Sequence, residues 1–116
     1  MRNFANAIAA TFHNYKTRYR IEERDNCIEQ HFVIFDDMKS FGELIFKYEY
    51  TEDSENISTV YDPLNEVKRM DAQELLKFSD FLHRVVIALN SVDFFKLSCK
   101  RKLQEGRQAP ENVVSL

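Results

Sequence analysis

Residues 71–90, DAQELLKFSDFLHRVVIALN, decide how the rest of the chain is read. Asp71, followed three residues later by Glu74, has the form of a capping pair, in which each side chain satisfies a backbone N–H that the first helical turn leaves without a partner. Beyond that start, Leu75, Ser79, Leu82, Val86 and Leu89 recur at helical spacing. Phe78, Phe81, Val85 and Ile87 widen the apolar surface past a single stripe. Gln73, Lys77, Asp80 and Arg84 form the only continuous polar strip. A helix apolar over most of its circumference requires cover on two sides, by a sheet and by a second helix or a second copy of the chain. Leu82 is thereby expected in the core, where an aspartate in its place would bury an unpaired charge and abolish folding.

Upstream, Phe4, Ile8, Phe12 and Tyr15 fall at spacings of four, four and three and predict a first amphipathic helix over about residues 3–15. From Thr17 the period changes to two. Tyr19 and Ile21 alternate with Arg18, Arg20 and Glu22, then Arg24-Asp25-Asn26 supplies turn chemistry before a second run over 27–35. In that run Ile28, Phe32 and Ile34 share one face and Glu29, His31, Val33 and Phe35 the other, so both faces carry apolar residues and which one is buried stays open. The run GELIFKYEY (42–50) is the clearest strand, with Leu44, Phe46, Tyr48 and Tyr50 on a core face and Glu43, Lys47 and Glu49 on a wet one. TEDSE (51–55) is a polar hairpin loop, and NISTVYD (56–62) the return strand, with Ile57, Thr59 and Tyr61 its more apolar face. Residues 64–70 connect it to the central helix. Downstream, Asn90-Ser91 interrupts that helix, and VDFFKLSCKRKLQ (92–104) reads as a last short helix capped by Ser91, with Phe95, Cys99 and Leu103 inward. Gly106 is expected to end it, leaving 107–116 as a frayed tail. The sum is an α+β fold in one domain over 1–106: an N-terminal helix, a four-stranded antiparallel meander, and long and short helices packed on the sheet.

Composition agrees with one compact unit. The 116 residues include ten Phe and five Tyr but only two Gly and two Pro, which leaves little linker sequence and promises an aromatic core. The longest uncharged apolar run, 85–89, is far below the roughly 20 residues of a membrane span. The basic N-terminal segment lacks the unbroken apolar region of a secretion signal, and Cys27 and Cys99 have no motif spacing, so a cytoplasmic protein with free thiols is expected.

The charge distribution is lopsided. Residues 21–66 hold thirteen acids and three bases, and the remainder six acids and thirteen bases, for a net charge of −3. The sharper reading is that Glu43, Glu49, Glu52, Asp53 and Glu55 form an electronegative surface docking on a basic protein or a nucleic-acid-binding protein, in the extreme as a phosphate-mimicking inhibitor. The competing reading is a nucleic-acid binder using Arg18, Arg20 and the basic last helix with Lys96, Lys100, Arg101 and Lys102. A third is an acidic chaperone for a specific client protein. The excess apolar surface also predicts a homodimer.

No catalytic or cofactor constellation stands out. Gly42 and Gly106 build no phosphate loop, there is no CxxC or HExxH, and His13, His31 and His83 lie in three different elements, so neither a metal site nor a cofactor is expected. His31 with Glu29 is the one pair with acid–base character, and no nucleophile accompanies it. Cys99 among lysines has the surroundings of an activated thiol, although a small buried apolar residue explains it better. The expectation is therefore a non-enzymatic adaptor or inhibitor.

Overall fold

The computed structural model describes residues 1–36, 39–63 and 69–115, with side chains described at these positions through 104 except at 39. Asp37, Met38 and most of the connector 64–70 lie outside the described residues. The elements follow the expected order: α1 (Arg2–Thr11), β1 (Lys16–Arg24), β2 (Cys27–Asp36), β3 (Lys39–Tyr50), β4 (Glu55–Asp62), α2 (Ala72–Leu89) and α3 (Val92–Ser115). The strands form one antiparallel sheet in the order β1-β2-β3-β4, so every connection within it is a hairpin.

Two backbone positions fix the sheet's registers. Asn26 takes a positive φ of 61° in the two-residue β1–β2 turn, a conformation that asparagine tolerates, and this sets Arg24 opposite Cys27 and Arg20 opposite His31. The β2–β3 pairing shifts at Ile34/Phe35, next to Gly42 with φ 141°. A Cβ at Gly42 would stand 2.6 Å from Tyr61 Cε1 and 2.7 Å from the Asp62 carbonyl oxygen, so the irregularity requires glycine here.

All three helices cover one face of the sheet. Ile28, Phe32 and Ile34 of β2 and Leu44, Phe46 and Tyr48 of β3 meet Phe4, Ile8 and Phe12 of α1 in the buried core. Phe81, Val85 and Ala88 of α2 and Phe95 and Cys99 of α3 complete it. The core face of β2 is thus settled, and Val33 and Phe35 fall on the outer one. Phe4 is the hub: its ring lies 4.9 Å from Phe46, 5.3 Å from Phe95 and 5.7 Å from Phe32. Gln30 faces this core from β2, fully buried, and neither amide atom has a hydrogen-bond partner among the described residues.

Helix α2 is rotated relative to the sequence expectation. Asp71 does cap it, accepting from Glu74 N–H at 2.9 Å. Its buried residues, however, are Phe81, Val85 and Ala88, with Phe78 and Leu89 partly covered, while Leu75, Leu82 and Val86 face outward. Leu82, read from the sequence as core, is 36% exposed. Two contacts explain the rotation. Phe81 fits among the rings of Phe41, Tyr15, Phe12 and Tyr61 at 5.2–5.8 Å, an aromatic socket no leucine on this helix would fill as well. Arg84 Nη1 donates to the Thr11 carbonyl at 2.9 Å, so the Arg84 end of the polar strip lies against the C-terminus of α1, where a cation also suits the helix dipole.

The helix ends differ as well. Helix α1 stops at Thr11, and Phe12 and Tyr15 continue its apolar stripe from a turn closed by Tyr15 N–H to the Phe12 carbonyl at 2.8 Å. Ser91 does not cap α3 with its hydroxyl, which donates back to the Ile87 carbonyl at 3.4 Å. Helix α3 is long, running to Ser115, and Gly106 does not end it, because an interior glycine costs a helix only about 1 kcal/mol.

Candidate functional site

The sheet's outer face carries a charged cluster built by strand register. Arg20 and Glu22 of β1 lie opposite His31 and Glu29 of β2, and Lys47 of β3 lies opposite Glu29 on the other side. Glu43 of β3, opposite Val33, is a diagonal neighbour of His31. At the centre, His31 Nδ1 is 2.5 Å from Glu43 Oε1, so the imidazole donates there. On the other side of the ring, Nε2 lies 3.3 Å from Glu29 Oε2 and 3.8 Å from Glu22 Oε2. The cations flank rather than fill this centre: Arg20 Nε meets Glu22 Oε1 at 3.1 Å, Arg24 Nη2 meets Glu29 Oε1 at 2.9 Å, and Lys47 Nζ pairs with Glu49 at 3.2 Å. The Arg20 hydrogen bond lowers the pKa of Glu22, and the Glu49 hydrogen bond raises that of Lys47. His31 and Glu29 are only 8% and 9% exposed although no helix covers this face, because long charged side chains close over them.

Sequence reading singled out His31 with Glu29 but missed Glu22 and Glu43. Glu22 was accessible to it: the two-residue turn at Asp25-Asn26 fixes the β1–β2 register and places Glu22 beside Glu29. Glu43 was not, because the irregularity at Gly42 sets where β3 aligns with β2.

The acidic surface expected for a basic partner is distributed otherwise. Glu43 and Glu49 belong to the cluster just described. Glu55 points to the helix side, where it accepts from Tyr48 Oη at 2.8 Å and pairs with Lys96 at 2.5 Å and Lys100 at 3.4 Å. These partners, Lys96 foremost, hold its pKa down to about 2, while burial and the Glu55 carboxylate push Tyr48 up to about 12. Glu52 and Asp53 stay exposed at the β3–β4 turn. The basic set is engaged in the same way: Lys102 meets Glu23 at 2.6 Å, Arg20 meets Glu22, and Arg18 lies over the Phe35 ring at 5.4 Å, leaving Arg101 exposed. The opposite signs of the middle and the ends of the chain therefore pair with each other across the fold. An open cleft of about 730 Å³ between the hairpin and α3 is lined by Tyr48, Tyr50, Glu52, Asp53, Glu55 and Lys100, of which Glu55 and Lys100 pair with each other. Cys99 is fully buried, and that burial pushes its thiol up to about 12, the reverse of an activated nucleophile.

The outward side of α2 is the contrast. Leu76 is 74% exposed, Leu75 and Val86 57%, and Ile87 47%; with Leu82, Ala72, Ser79 and His83 they make an outer arc without a single Asp, Glu, Lys or Arg. Phe94 and Leu97 add exposed apolar surface on α3. No helix among the described residues is long and apolar enough to cross a membrane. No protein family, curated protein or solved structure matches the chain.

Proposed function

We propose that the chain is a non-enzymatic protein-interaction module that works as a homodimer, docked through the outer face of α2, with the Glu52–Asp53 hairpin tip left to meet a basic partner. The observation that carries this is the charge-free apolar face on α2. Its five aliphatic side chains expose on the order of 500 Å², at the top of what a monomer usually leaves bare.

A second copy is the occupant that fits best. Leu75, Ser79, Leu82 and Val86 are separated by four, three and four residues, a pattern that reads alike in both directions. An antiparallel copy therefore sets Leu75 against Val86 and Ser79 against Leu82 about a two-fold axis, and the small Ser79 lets the helices approach. A face without charge gives a nucleic acid or a basic protein nothing to pair with.

The test is sedimentation of the full chain across a concentration series, with Leu82→Asp and Val86→Asp beside the wild type. The dimer reading requires a wild-type dimer and folded monomeric variants with unchanged far-UV circular dichroism. A wild type monomeric throughout the series overturns it, as does a dimer that survives both substitutions. The hairpin role is tested separately by Glu52→Lys with Asp53→Lys, which should weaken capture of a basic partner protein and leave thermal stability unchanged; unaltered capture removes that role.

A further inference from the structure

We propose that Nε2 of His31 and the Oε2 atoms of Glu22 and Glu29 form a binding site for one divalent metal ion of the zinc type, on the sheet face opposite the helices and independent of the α2 surface. One ligand atom from each of these three side chains lies within 4.8 Å of the other two. The separations from Nε2, 3.3 and 3.8 Å, bracket the edge of about 3.4 Å that a tetrahedral site with bonds near 2.1 Å requires.

The hydrogen-bond pattern gives an independent reason. Glu43 takes up the Nδ1 side of His31, which leaves Nε2 as the ring nitrogen facing the Glu22 and Glu29 carboxylates, where a metal ion would take the place of a proton. Both carboxylates turn the same way: Glu22 meets Arg20 through Oε1, Glu29 meets Arg24 and Lys47 through Oε1, and in each the Oε2 atom is the one aimed at the imidazole. Donor atoms from three side chains thus converge on one point, where a bound cation is well placed. The flanking bases make the carboxylates rigid without occupying that point, and Glu43 behind the ring is the carboxylate partner that metal-bound histidines commonly have.

The donor set selects the class of ion. One imidazole and two carboxylates suit zinc and its first-row neighbours, whereas calcium takes six to eight oxygens and magnesium retains an octahedral shell largely of water. His31 and Glu29 are fixed on a central strand, and the half-exposed Glu22 on edge strand β1 marks the side open to solvent, where water would complete the coordination.

The experiment is calorimetric titration of the full chain with Zn²⁺ at neutral pH, with Co²⁺ absorption as a report of geometry. One ion per chain is expected, with loss of binding in His31→Gln. Glu43→Gln should weaken it about 10–100-fold, as removal of an outer partner does. Glu22→Gln, at a half-exposed position that leaves the core untouched, should weaken it at least tenfold while circular dichroism stays unchanged. Absence of saturable binding overturns the proposal. So does binding that survives His31→Gln or Glu22→Gln but disappears in His13→Gln or His83→Gln, and so does a His31 ring whose ¹⁵N signals show both nitrogens protonated and unmoved by Zn²⁺.

Discussion

The two solvent-facing sides of this molecule have opposite chemistry, and the side richer in charge is the more self-contained. On the sheet's outer face Arg20, Arg24 and Lys47 lie among Glu22, Glu29, Glu43 and Glu49, so two of the acids expected to seek a basic partner, Glu43 and Glu49, already have partners. On the outer face of α2 a charge-free run of leucine, isoleucine and valine stays 36–74% exposed among the described residues. Charge density by itself therefore says little about where a partner binds. A charge satisfied at short range has little field left at a distance, whereas exposed apolar area remains a source of binding free energy of about 25 cal/mol per Å².

The sharpest way to break this contrast is between neighbours on α2. Phe81→Ala empties the aromatic socket and should cost about 3–5 kcal/mol in denaturant unfolding. Leu82→Ala, one residue on, should cost the isolated protomer less than about 1 kcal/mol and act on self-association. Similar losses at the two sites, measured at a concentration where the wild type is monomeric, would mean that both sides of α2 are covered within one chain.

The legibility of this fold divides along the same line. The strands were readable because GELIFKYEY alternates with one clearly charged face, and α1 because its apolar stripe is narrow. On α2 the periodicity established a helix but not its rotation, since Leu75, Leu82 and Val86 are as apolar as Phe78, Phe81 and Val85; the choice is made by the shape of the ring pocket and by Arg84 reaching Thr11, both tertiary facts. The His31 cluster was half legible. Local turn chemistry fixed Glu22 beside Glu29, but Glu43 enters through long-range pairing, and the burial of a histidine on an uncovered face arises only when arginine and lysine stems from two neighbouring strands close over it.

A smaller effect, of the opposite sign, comes from Gln30. It occupies a core position between Ile21 and Phe46, fully buried, with neither amide atom having a hydrogen-bond partner among the described residues. A buried polar group without a hydrogen bond carries a desolvation penalty of roughly 1–3 kcal/mol, so Gln30→Met should raise stability by about 1 kcal/mol once imperfect packing is subtracted. A lower melting temperature would mean that an ordered water satisfies the amide. In either case the charged face outside should be unaffected, and an altered His31 titration would tie the two faces of the sheet together.

The finest comparison lies within one hairpin, between Glu52 and Glu55. Glu52 is exposed at the turn, with no ion-pair partner among the described residues, whereas Glu55 is clasped by Lys96, Lys100 and the Tyr48 hydroxyl. Because the folded pKa of Glu55 is depressed to about 2, from an ordinary value of 4.5, its contribution to stability is complete above that ordinary value and is lost as pH falls toward 2. Glu55→Gln should therefore lower the melting temperature at neutral pH, and the difference from wild type should close as the pH is taken down through that window. Glu52→Gln should trace the wild-type curve at every pH. A Glu55→Gln deficit that persists unchanged at pH 2 would assign the effect to altered packing of the hairpin on α3. Parallel behaviour of the two variants would mean that the lysines of α3 are solvated and that the basic helix stays open to an outside acid.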